Sequence, residues 1–300
     1  MKHVMGVSIG SSKRNHKIEM KILGEDFIIE RIGTDGDIKK AIEIIKENDG
    51  KVSAFGMGGI DLYVSAGNRR YTFRDAIPIA KAAKVTPIVD GSGLKNTLER
   101  NVIDHIVREN IIDFKNKNVL LVAGIDRFGM AESLEKTGCN LILGDIIFAL
   151  GLPIPLRSVR SLDIVARIVA PIVCQLPFSM LYPTGEKQEK NDPKYQRFYH
   201  DADIIAGDFL FIRRYMPEQI PGKIIITNTV TQADVEELAR RGVKMLITTT
   251  PEFNGRSFGT NVMEGVLVAL SDKPYKELTP DDYNELLERI GFVPRVEVLN

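Results

Sequence analysis

The sequence predicts an α/β protein of two lobes, a small N-terminal α/β domain and a Rossmann-like domain with a doubly wound parallel sheet, with a cleft between them. Three observations predict it. Strand-length apolar runs alternate with amphipathic helical stretches along the chain, the pattern of a largely parallel sheet covered by helices. Residues 118–145, NVLLVAGIDRFGMAESLEKTGCNLILGD, read as strand, glycine turn, helix and second strand. The 300 residues exceed what one core usually organises, so about two domains are expected. The expected divisions are a substrate and catalytic domain over 1–100, a dinucleotide-binding domain over 101–275, and a C-terminal helix and tail over 276–300 that pack back on the body.

The elements follow from local patterns. Val4–Ile9, Lys17–Leu23 and Asp26–Ile32 read as strands, the last two joined by a turn at Gly24-Glu25. Ile38, Ala41, Ile42 and Ile45 fall at i, i+3, i+4 and i+7, one face of a helix. Val52–Phe55 and Thr86–Val89 read as strands and Arg74–Ala83 as a helix. Val102, Ile103, Ile106 and Val107 mark a helix before the polar run Lys115–Asn118. Leu152–Pro193 is punctuated by proline and contains the polar loop YPTGEKQEKNDPKY. Ala202–Ala206, Lys223–Thr227 and Val243–Thr248 read as strands. Thr231 caps a helix that Gly242 ends, Asn261–Leu270 is an apolar helix, and Thr279-Pro280 opens a final one bearing Tyr283, Leu286, Leu287 and Ile290.

Composition narrows the function. Forty basic residues balance 40 acidic ones, so no global field draws nucleic acid or an anionic membrane. The two cysteines and four histidines lack ligand spacing, which predicts no metal site and no disulfide framework. No secretory h-region or membrane span is apparent, which places the protein in the cytoplasm. Apolar α/β edges are compatible with a homodimer.

A dinucleotide fingerprint would place glycine at 124, 126 and 129. The chain has Gly124, Asp126 and Gly129, and Asp145 stands near the offset of a ribose-binding acid. On this reading Gly124, Asp126, Arg127, Phe128, Gly129 and Asp145 contact the cofactor, joined by Asn228 and Thr229 after a later strand. A carboxylate at 126 repels a pyrophosphate unless Arg127 offsets it or Asp126 turns away to cap the helix. Asp145 favours NAD over NADP, since a carboxylate repels a 2′-phosphate.

The segment DGSGLKNTLERNVIDHIVRENIIDFKNKNVLLVAG, from Asp90 to Gly124, resembles the interdomain junction of the shikimate/quinate dehydrogenase family, and the chain as a whole is similar to bacterial quinate 5-dehydrogenase-like proteins. The resemblance is useful over about 60 residues of the 300. It implies hydride transfer between a secondary alcohol and nicotinamide, with a Lys–Asp pair moving the hydroxyl proton. Asp90 matches the family aspartate through its DGxG context; the alternative is a turn aspartate before Gly91. The family's NVTxPxK lysine segment is absent, which leaves Lys95 as substitute base, with Lys81 and Lys84 behind it and Asn96 beside the substrate. The family's terminal-helix glutamine is also absent, and Asn261 or Glu264 stands nearby.

A second stretch, Ile247–Asn261, brings threonines at a strand end, an arginine and a helix start together. Thr249, Arg256 and Asn261 there suit a carboxylate or phosphate. The leading expectation is an NAD(P)-dependent oxidoreductase acting on a small hydroxylated, carboxylated substrate. The competing one is a non-redox small-molecule binding or sensor protein whose fold has lost dinucleotide binding, with Asp126 as its chief support.

Overall fold

The computed structural model describes residues 1–66, 69–177, 191–250, 252–253 and 256–300, with the side chains of 65–66, 252–253 and 256–257 outside that description. Chain order in the first lobe gives β1 (Lys2–Ser8), β2 (His16–Ile22), β3 (Glu25–Gly33), α1 (Ile38–Asn48), β4 (Ala54–Gly58), a hairpin of β5 (Tyr63–Ala66) and β6 (Arg69–Thr72), α2 (Ala76–Ala80) and β7 (Ile88–Val89). The sheet order is β2-β3-β1-β4-β7. β3, β1, β4 and β7 run parallel, and β2 returns antiparallel on the edge. Its turn lies one residue earlier than expected, because Leu23 and Gly24 take φ of 51° and 82°, the geometry that suits the twist of a tight hairpin.

The chain continues through α3 (Ser92–Arg108), β8 (Asn118–Leu121), α4 (Phe128–Lys136), β9 (Asn140–Leu143), a π-helical turn at Asp145–Ala149, α5 (Val159–Val173), α6 (Arg197–Asp201), β10 (Ile204–Gly207) and α7 (Phe209–Tyr215). It ends with β11 (Ile224–Thr227), α8 (Gln232–Arg240), β12 (Met245–Thr248), the short pair β13 (Glu252–Phe253) and β14 (Arg256–Ser257), α9 (Thr260–Leu270), α10 (Pro280–Arg289) and β15 (Arg295–Val298). The second sheet is ordered β9-β8-β10-β11-β12-β15, parallel except for β15. After β9 the chain crosses β8 to form β10 on the other side. That reversal makes a topological switch point between β8 and β10, where open α/β sheets bind ligands.

The two-lobed α/β architecture expected from the sequence is present, with differences that decide where the cleft lies. α9 was expected in the second lobe, yet it lies on the first sheet. Val262, Met263, Val266 and Leu267 pack with Val4, Phe27 and Ile29, and Tyr283, Leu286 and Leu287 of α10 join them. α9 is apolar on nearly all sides, so it is stable only when enclosed. The expected boundary at residue 100 falls inside α3, which runs about 25 Å without a break. Leu94 and Leu98 belong to the first-lobe core and Val102, Ile103 and Ile106 to the second. α5 makes a second strut, with Leu162 and Ala166 in one core and Ala170 in the other.

Local caps behave as the residues dictate. Thr231 with Asp234 and Thr279 with Asp282 form reciprocal capping boxes at α8 and α10. The helix expected over Arg74–Ala83 shrinks to Ala76–Ala80, because Pro78 and the short apolar run sustain little more than one turn. After β10 the apolar run FLFIRRY forms α7, capped by Asp208 through Leu210 N at 2.9 Å. Part of the polar loop after Leu181 lies outside the described residues.

Candidate functional site

The parallel strands of both lobes end on one interlobe cleft of about 240 Å³. Ser8 ends β1 and Gly58 ends β4; Asp126, Asp208 and Asn228 follow β8, β10 and β11; and the start of α9, Gly259–Val262, forms a further wall. Sheet edges meeting end to end bring backbone turns and helix starts to one place, so the cleft follows from topology.

Its floor is an ion network that joins α3 to the segments following β4, β8 and β10. Lys95 Nζ lies 3.1 Å from Asp61 of the first lobe and 2.8 Å from Asp126 of the second. Arg127, 4 % exposed, pairs with the buried Glu99 of α3, with Asp208 at 3.2 Å and with Asp126 at 3.3 Å. Asn228 Nδ2 donates to Asp208 at 2.7 Å. Burial works against the charge of Lys95, but Asp126 and Asp61 outweigh it and hold the ammonium above its ordinary pKa. Burial drives Asp61 upward against the pull of Lys95, with Asp126 and Asp90 adding to the rise; Asp126 moves down, because Lys95 and Arg127 outweigh its burial. A lysine clamped by two carboxylates is held in its protonated form, which works against the general-base role expected of Lys95.

Asp90 also takes a different task. Its Oδ2 accepts from Leu62 N at 2.6 Å and Tyr63 N at 3.1 Å, and its Oδ1 from Ser92 N at 3.1 Å and Ser92 Oγ at 2.7 Å. A carboxylate has about four acceptor positions, so Asp90 reaches the cleft wall with none to spare for a substrate hydroxyl. It ties the strand entering the β5–β6 hairpin to the start of α3, as a turn aspartate does.

The fingerprint residues are used internally. Asp145 accepts from Gly124 N and Ile125 N, both at 2.9 Å, and burial raises its pKa to about 6 despite those bonds. Asn96, expected near substrate, accepts from Gly129 N at 3.1 Å. Gly129 is needed there, since a Cβ would lie 2.7 Å from the Asn96 carbonyl oxygen of α3. Phe128 is a core residue. Thr249 is buried away from the cleft, its N–H donating to Thr227 O at 2.7 Å. Asn261 and Thr229 line the cleft, as do Asp126, Arg127 and Asn228, while the side chain of Arg256 lies outside the described residues.

A nicotinamide dinucleotide does not fit this arrangement. Its pyrophosphate needs free N–H groups at the turn after β8 and the start of α4. Those of Gly124, Ile125 and Gly129 are engaged by Asp145 and Asn96, and the Arg127 N–H donates to Gly124 O at 3.1 Å. Asp126 and Asp208 face the switch point with Arg127 locked between them. Asp145, expected to hold a ribose, is buried and turned back onto the backbone donors of Gly124 and Ile125.

The cleft also carries basic side chains. Arg14, Arg31 and Arg214 line it with Ser8, Gly10 and the first residues of α9. Sequence reading missed the three arginines and Glu99. Arg31 sits near the carboxyl end of β3, an interior strand, a place where a charged residue is a usable signal.

One family model matches residues 93–299, more than half of the chain, and a second, Domain of unknown function (DUF8753), matches residues 3–90. The chain belongs to the family called Domain of unknown function (DUF8754). In this DUF8754 chain the two matches meet at the Asp90–Ser92 turn that joins β7 to α3. No protein of curated function matches the sequence. Solved structures with a similar backbone include a galactofuranose binding protein at 13% identity and TM-score 0.38, covering 97% of this chain and 99% of that one. The hetero-hexameric glutamate dehydrogenase from Thermus thermophilus matches at 10% identity and TM-score 0.45, covering 97% and 74%. A putative malic enzyme matches at 12% and 0.34, covering 96% and 84%. Among the described residues no helix is long and apolar enough to cross a membrane.

Proposed function

We propose that this protein binds a small polar molecule in the interlobe cleft and does so without a nicotinamide dinucleotide. The observation that carries this reading is the closed switch point, where Asp145, Asn96 and the Lys95–Asp126–Arg127 network occupy the groups a dinucleotide would use. What stays open is a cleft of about 240 Å³, below the usual range for small-molecule pockets, which favours a compact ligand. The dehydrogenase reading drew on Asp90, Lys95 and Asp145. Asp90 is saturated by backbone and hydroxyl donors, Asp145 is buried and turned onto the N–H groups of its own glycine turn, and Lys95 is held charged.

A thermal-shift screen of small carboxylates, polyols and phosphorylated sugars, with NAD and NADP alongside, tests the reading. A ligand that binds only the folded state raises the unfolding midpoint in proportion to the logarithm of its concentration. Stabilisation by a compact compound and none by either dinucleotide supports the reading; saturable stabilisation by a dinucleotide contradicts it.

A further inference from the structure

We propose that the basic lining of the cleft forms an oxyanion subsite for a phosphate monoester, held by Arg31 and Arg14 from the first lobe and Arg214 from the second. This rests on the small-molecule reading of the cleft and names the class of its ligand.

Arg31 carries the argument. Its Nη1 donates to Ser11 O and its Nη2 to Ser8 Oγ, both at 3.0 Å. Both acceptors are neutral, and among the described residues no carboxylate lies within ion-pair distance of this guanidinium. Burial, then the nearby Arg14 charge, pull its pKa down to about 10 while Asp35 resists. A half-buried cation beside a like charge is costly unless an anion joins it.

The other two arginines are also short of counter-charge. Arg14 reaches Asp234 only at 3.8 Å, and Asp234 is already shared with Arg213 and the Thr231 cap. Arg214 lies 5.4 Å from the Tyr215 ring centroid, with no ion pair to a described carboxylate. The acidic groups of the cleft do not meet this need. Asp61 and Asp126 are committed to Lys95, Asp208 to Arg127, and Asp90 to four N–H and O–H donors.

A third contribution comes from α9. Its N-cap is Gly259, which has no side chain to cap the first turn, and Gly259, Thr260 and Asn261 line the same cavity. Helix N–H groups and guanidinium forks together match the charge and the several acceptor oxygens of a phosphate better than a single carboxylate. Asp61 also lines the cleft with 27 % of its side chain exposed and acceptor positions beyond its Lys95 pair, so it can accept from hydroxyl groups. The ligand class is therefore a compact phosphorylated polyol.

The test is calorimetric titration of the full chain at constant ionic strength with inorganic phosphate, ribose 5-phosphate and ribose, for wild type, Arg31→Gln, Arg31→Lys and Arg14→Gln. The expected result is saturable binding of phosphate, tighter binding of ribose 5-phosphate, and a loss of roughly ten- to a hundredfold in Arg31→Gln. Arg31→Lys should recover part of that loss, since it restores charge but not the fork. Arg14→Gln, in a half-buried 3-10 turn outside the hydrophobic cores, keeps the test open if Arg31 variants misfold. Equal phosphate binding by wild type and both glutamine variants overturns the subsite. So does binding of ribose and ribose 5-phosphate with one affinity, which leaves the cleft reading standing. Tight binding of NAD, titrated alongside as a control, would instead remove the cleft reading.

Discussion

Lys95 Nζ lies 2.8 Å from Asp126 Oδ1, so a residue at the start of α3 and one after β8 neutralise each other across the lobe junction. Sequence reading gave these two residues to different tasks, the lysine to proton transfer and the aspartate to a cofactor turn. Their pairing removes both. The lysine keeps its proton, and the carboxylate is held at the switch point by a partner that a bound pyrophosphate would have to displace.

Lys95→Met should be destabilising by about 3–5 kcal/mol at pH 7.5, because Asp61 and Asp126 are left without their shared cation. The loss should shrink at pH 5, where carboxylates freed of the lysine are more easily protonated. Urea unfolding at the two pH values measures it, and a loss independent of pH would show that packing of the lysine stem matters more than its charge.

Asp126→Gly completes the glycine fingerprint in sequence but should not create a dinucleotide site. Asp145 and Asn96 still hold the N–H groups of Gly124, Ile125 and Gly129. Calorimetry of this variant with NAD should show no saturable heat, and its unfolding midpoint should fall below that of wild type. Micromolar binding would mean that Asp126 alone closes the site.

Much of the fold was legible because its signals are local. The face of α1, the Thr231 and Thr279 caps and the strand runs of the second sheet depend on residues within a few positions of each other. The Asp90–Ser92 turn could be read for the same reason. The floor of the cleft could not. Lys95 meets Asp61 across 34 positions and Arg127 meets Asp208 across 81, and no periodicity encodes such meetings. Asp145 shows the trap most clearly, since the offset that marks a ribose acid also brings a carboxylate back onto its own glycine turn. The first-lobe position of α9 was hidden too, because an apolar helix does not say which sheet encloses it.

Glu264 gives a pH signature. Burial, then the Asp90 charge, raise its pKa to about 8, although the Tyr283 hydroxyl donates to its Oε1 at 2.7 Å. The folded state therefore binds this proton more tightly than the unfolded state, whose carboxyl titrates near its ordinary value. The stabilisation is complete below that ordinary value and is lost as pH rises to about 8. Glu264→Gln keeps an acceptor for Tyr283 and removes the titration. Relative to the variant, wild type should lose about 1.4 kcal/mol of stability per pH unit between pH 6 and 8. Parallel unfolding curves across that range would show that Glu264 is ionised throughout.

Asp90→Asn leaves one acceptor oxygen where four donors converge. Unfolding in urea should show a loss of about 2–5 kcal/mol with an unchanged slope, the cost of buried donors left unpaired. A change below about 0.5 kcal/mol, typical of a surface site, would mean that the carboxylate is free for a ligand after all.

The most direct test of the central claim is calorimetric titration of the wild-type protein with NAD and NADP, beside the compact phosphorylated ligand. The account predicts no saturable heat with either dinucleotide and saturable binding of the small ligand to the same preparation. Micromolar binding of NAD would contradict it, because the Asp145 and Asn96 contacts at the glycine turn would then have to open for the cofactor.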